Sequence, residues 1–119
     1  MDGCGLVEKL VERFPEFGEM YECHLANNGG LLPHVFFAVD GVTEEVVSAY
    51  SGRVSEWTEG LDWRAVLGFL EGAYIEGDGE ARGVIAVSFV HRLPWPGQIG
   101  ERIVGDFGPG LAECHRDVR

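Results

Sequence analysis

Lysine and arginine are scarce. The 119 residues contain nine of them against twenty aspartates and glutamates, a net charge of −11. That imbalance opposes binding to nucleic-acid phosphates or anionic lipid and makes a basic protein the expected partner, although acidity also serves solubility. Long apolar runs are missing too. None approaches the roughly 18 residues of a spanning helix, and the charged start "MDGCGLVEKLVERF" fits neither a signal peptide nor a membrane anchor. The expectation is a cytoplasmic protein with no membrane role. Cysteine is limited to Cys4, Cys23 and Cys114, an odd set that favours reduced thiols over a disulfide framework. Eighteen glycines still include no phosphate-binding loop of either common pattern.

What is present suits one domain over residues 1–119. The length is typical of a single core, and 45% hydrophobic residues supply the material to fill it. Leu6, Val7, Leu10, Val11 and Phe14 recur at helical spacing, and Pro15 can open the next helix at its first position. Met20, Tyr21, His24 and Leu25 form a second stripe. It ends at "NNGG", residues 27–30, whose members tolerate left-handed backbone, and Pro33 restarts the chain. Phe36, Val39, Thr43, Val46, Val47 and Tyr50 continue the spacing, with Gly41 and Thr43 leaving open one helix or two over residues 33–51.

Residues 51–60, "SGRVSEWTEG", have no clean period and read as the longest connection. Trp63, Val66, Leu67, Leu70 and Tyr74 then form a strong stripe, and Ala65, Gly68 and Gly72 lie opposite, where a small-residue face would admit close packing. Val84, Ile85, Val87, Phe89 and Val90 suit a buried strand or a central helix. Asp78 as N-cap, Glu80 in the first turn and the run's length before Pro94 favour the helix. Two short closing helices follow, the last from Pro109. The sum is an all-α fold, a compact bundle of about six or seven short helices in antiparallel hairpins, among which the pair 61–77 with 79–93 looks similar to a HEAT-like hairpin.

Reactive chemistry is weighed against packing at each candidate. "ECH" occurs twice, ending at His24 and His115, but neighbours on a helix point about 100° apart, whereas helical metal ligands converge at spacings of three or four. Cys23 and Cys114 instead suit flanking packing positions. A zinc site would need His24, His34 and both cysteines to meet through the fold, with no recognised spacing to argue for it. Neither cysteine has the positive neighbour that thiol catalysis needs. Ser88 and His91 share a face three residues apart, without a nucleophile elbow, and read as a satisfied polar pair. His34, following Pro33, is expected to organise the turn after "NNGG". No catalytic, cofactor or metal residue is assigned.

"NNGGLLPHVFF", then a helix ending "VVSAY" and later "GVIAVSFVHRLPWPG", resembles a family of small uncharacterised bacterial proteins with a Leu–Leu–Pro–His segment and a downstream "IAVSF…L" helix. The likeness spans residues 15–112, and the chain departs from it at His91, where relatives carry glutamate. The resemblance implies an all-helical fold similar to immunity proteins of bacterial toxin systems, and brings no catalytic residues. The leading expectation is therefore an acidic, non-enzymatic inhibitor of a basic protein. Glu44, Glu45, Glu56, Trp57, Glu59 and Asp62 would form its contact patch, with Trp95 as a second anchor. The alternative is a small helical enzyme or ligand-binding domain with a pocket near Ser88, His91 and His34.

Overall fold

A computed structural model describes residues 1–119 and is all-helical, with no strand. Helix α1, Gly3–Arg13, is capped by the Asp2 carboxylate, which accepts from the Gly5 N–H at 2.7 Å. A 3-10 turn at Pro15–Phe17 leads into α2, Gly18–Asn28, which stops at Gly29 in the left-handed region, φ +68°. That is the ending the asparagine–glycine pattern predicts. Next come α3, Pro33–Val35, widening into a π-helical stretch over Phe36–Asp40, and α4, Val42–Tyr50. Gly41 separates them at φ +112°, so residues 33–51 make two helical pieces.

Helix α5, Trp63–Glu76, starts on the side chain of Asp62, and α6, Gly79–Val84, on that of Asp78. Helix α6 runs on through a π-helical stretch, Ile85–Phe89, and a 3-10 turn, Val90–Arg92. A 3-10 helix at Glu101–Asp106 and α7, Pro109–Val118, close the chain. No helix is long and apolar enough to cross a membrane.

Twenty-four buried residues form one cluster, led by Phe17, Phe36, Phe37 and Phe89. The 79–92 segment is central as expected: Ala81, Val84, Ile85, Phe89 and Val90 are all buried, and only Val87 among its apolar run faces outward. It packs chiefly against α1 and α7, and α5 packs chiefly against α7, so the α5–α6 pair is not the dominant hairpin. The expected small-residue face also differs. A methyl group at Gly68 or Gly72 would meet nothing within 4 Å, whereas one at Gly110 would come to 2.5 Å from Glu71 Oε2. The close approach belongs to α7, because Glu71 accepts from the Gly110 and Leu111 N–H groups at 2.6 and 2.8 Å and so satisfies the free donors of that helix start.

The widened helical turns are tied down by side chains from elsewhere. Thr43 donates its hydroxyl to the Ser88 carbonyl at 2.7 Å. Arg119 donates to the carbonyls of Val90, Leu93 and Pro94 at 3.3, 2.9 and 3.2 Å, closing the end of the central segment.

Candidate functional site

The residues expected to form one acidic contact patch fall into three groups. Glu56, Trp57 and Glu59 stand exposed on the 51–62 connection, with the Trp57 side chain 45% accessible. Glu44 and Trp95 lie apart from them, on the walls of a groove of about 920 Å³. Glu45 and Asp62 are committed within the fold. Asp62 caps α5, accepting from Ala65 N–H at 3.0 Å.

Glu45 is a correction to the sequence reading. It sits three residues after the buried Val42 and beside the buried Val46, so helical geometry turns it inward, where it is only 9% exposed. Its carboxylate accepts the hydroxyls of Ser55 and of Thr58, the latter at 3.3 Å. Ser55 Oγ also receives the Trp57 N–H at 3.2 Å. The buried carboxylate thus holds the two residues that bracket Trp57. A buried charge is tolerated when hydrogen bonds replace its water, and here those bonds fix the shape of the loop.

The groove is bordered by α4 through Thr43, Glu44 and Val47, by the two π-helical stretches through Ala38 and Val87, and by residues 91–98. Helix widening of this kind often accompanies functional sites. The Arg119 guanidinium lies 3.9 Å from the centre of the Trp95 ring, and His91 approaches that ring edge-on at 6.4 Å.

The histidines separate into distinct roles. His24 is buried, as its place on an apolar stripe implies, and it organises the "NNGG" turn that the sequence reading gave to His34. Leu32 N–H donates to His24 Nε2 at 2.9 Å, which leaves the proton on Nδ1 to be donated to the Asp40 carboxylate. Asn28 donates to the His24 carbonyl at 2.8 Å. With Nε2 occupied by a backbone donor, the His24–Asp40 pair has no free base. His34 instead shares a hydrogen bond of 2.6 Å with Ser88 Oγ, 54 positions away, in place of the anticipated Ser88–His91 pair. Ser88 is 2% exposed. Neither Ser88 nor His34 lines the groove, whereas His91 does.

The two Glu–Cys–His sequences orient oppositely. In the first, Cys23 is exposed and His24 buried; in the second, Cys114 is buried and His115 packs edge-on against Phe107 at 6.3 Å. Cys114 behaves as the packing residue expected, and Cys23 does not. No three His, Cys, Asp or Glu side chains are grouped so as to hold a metal ion. Burial pushes the Cys114 thiol above its ordinary value of 9.0 against the lowering effect of its hydrogen bond with Tyr74, and burial likewise raises the Tyr74 phenol. Both groups are held in their neutral forms.

The sequence reading missed Arg92 at the groove, Arg119 on the Trp95 ring and Asp40 beside His24. Arg92 carried a local signal, since it follows His91 at the end of the central segment, but nothing local marks Arg119 as its cap. No family model, curated protein or solved structure matches the chain.

Proposed function

We propose that this chain is a protein-binding domain that docks a basic partner, acting in the cytoplasm as an immunity-type inhibitor of a basic bacterial toxin. One observation carries the reading: Trp57 is held half exposed between Glu56 and Glu59 on a loop whose form is fixed from inside by Glu45. A large aromatic ring on a pre-shaped loop loses little freedom on binding, so more of its burial becomes affinity. The flanking carboxylates and the net charge of −11 would hasten encounter with a positive surface and discourage acidic competitors.

Several carboxylates serve as helix caps or buried acceptors, which gives the acidity a second, structural use. Glu56 and Glu59 have no such internal duty, and they flank the exposed indole. Replacing Trp57 with alanine should weaken partner binding while leaving the melting temperature within a few degrees. Unchanged affinity in a folded Trp57→Ala protein would remove the loop from the interface.

The alternative enzyme or ligand-binding reading has the Ser88–His34 hydrogen bond in its favour. Burial of the serine oxygen and the lack of a carboxylate on His34 weigh against nucleophilic chemistry there. Incubation with a fluorophosphonate probe discriminates the readings, since only an activated Ser88 would be labelled.

A further inference from the structure

The groove between α4 and residues 91–98 has a composition unlike the acidic loop. Ala38, Val47 and Val87 supply apolar walls over the buried Leu93, and Val87 is 55% exposed although it belongs to the central helical segment. Trp95 adds an indole that is 51% exposed even with Arg119 on its ring. Arg119 is itself fixed by three backbone carbonyls, so the positive charge and the plane of the indole are set together.

Hydrogen-bond donors gather at the same end. The Arg92 side chain makes no ion pair or hydrogen bond within the chain, although the residue borders the groove. Gln98 accepts the Trp95 N–H through Oε1 at 2.7 Å, which leaves its amide N–H groups free. The carboxylate of the lining, Glu44, lies on the α4 side, while the exposed His91 ring stands beside Trp95. The volume of about 920 Å³ falls within the roughly 300–1,000 Å³ usual for small-molecule sites, and its 11 lining residues, 5 of them hydrophobic, set polar groups beside apolar surface.

We propose that this groove binds a small organic monoanion, a carboxylate carried on an aromatic or branched apolar body, with the carboxylate on Arg92 and the body against Trp95. A guanidinium presents a planar fork that matches a carboxylate through two parallel bonds. A dianion such as a phosphate monoester would suffer about twice the repulsion from the net charge of −11. Glu44 repels an anion on its own side, so it sets the direction in which the ligand lies. This site is separate from the Trp57 loop and does not depend on the loop's role.

The test titrates the intact protein with naphthoate, naphthamide and naphthylmethylammonium, three bodies of like shape and different charge, and follows the Trp95 indole N–H by NMR. The expected result is a saturable shift with naphthoate at a Kd of about 1 mM or tighter, and binding of naphthamide weaker by about ten-fold. Arg92→Gln should weaken naphthoate by about ten-fold, and Glu44→Gln should tighten it by a few-fold. Both side chains are exposed, and a thermal melt of each variant verifies that it is folded. No saturable shift at the Trp95 indole with naphthoate overturns the proposal. So does naphthamide or naphthylmethylammonium binding as tightly as naphthoate, or Arg92→Gln binding naphthoate as tightly as the parent.

Discussion

Thr58 donates its hydroxyl to the buried carboxylate of Glu45 across 3.3 Å, and this contact links the inner face of α4 to the loop that carries Trp57. With the Ser55 bond to the same oxygen, it makes loop shape depend on one side chain. Glu45→Ala would leave two hydroxyls without their acceptor and open a void beneath the loop. The expected cost is about 1–3 kcal/mol of stability, with faster amide hydrogen exchange across residues 53–60 than elsewhere. Uniform exchange in the variant would show that the loop is held by something else.

His24 should be a neutral ring with its proton on Nδ1, because Leu32 N–H already occupies Nε2. The imidazole nitrogen shifts report this directly. A protonated Nε2 would contradict the assignment. His24→Ala leaves the Leu32 donor unpaired and a cavity against Phe36, whose ring centre lies 5.3 Å from that of the imidazole; a loss of about 2–5 kcal/mol follows.

The two kinds of glycine should respond oppositely to alanine. Gly68→Ala and Gly72→Ala add methyl groups that meet nothing within 4 Å inside α5, so each should stabilise by about 0.4–1 kcal/mol. Gly110→Ala would press on Glu71 Oε2 at 2.5 Å and Ile75 Cγ1 at 3.0 Å and should destabilise, through loss of the α7 cap. Chemical denaturation of the three variants checks both signs.

Alkaline conditions should weaken the fold. Burial raises the Cys114 thiol above 9.0 and the Tyr74 phenol above 10.0, so the folded chain holds these protons more tightly than the unfolded chain. Their contribution is complete below the unfolded values. It is lost as pH climbs through the raised folded values. A series of denaturation curves from pH 7 upward should fall beyond about pH 9, and Cys114→Ala should remove the thiol's share of the slope and lessen that of Tyr74, whose rise comes first from burial and then from Cys114. Under native conditions exposed Cys23 should alkylate well before Cys114.

Local chemistry was legible where a few neighbouring residues decide the outcome. Asp78 as a cap, Gly29 as a left-handed helix end and Pro109 at the start of α7 needed only nearby positions. The inward turn of Glu45 was legible in the same way from Val42 and Val46, yet its charge suggested surface. Contacts between distant segments were hidden. His34 with Ser88, Glu71 with the start of α7 and Arg119 with the carbonyls of residues 90–94 depend on how helices meet. The π-helical stretches were also invisible, because Phe36–Asp40 and Ile85–Phe89 carry apolar patterns that suit an ordinary helix as well.

The Trp57 loop as a docking element for a basic protein is tested most directly by parallel capture from native lysate with the parent chain and Trp57→Ala, each at low and high salt. The account predicts one basic protein retained in stoichiometric amount by the parent at low salt, released as salt rises, and lost from a Trp57→Ala protein whose melting is unchanged. Retention of the same protein by Trp57→Ala, or no basic protein on the parent, would contradict it.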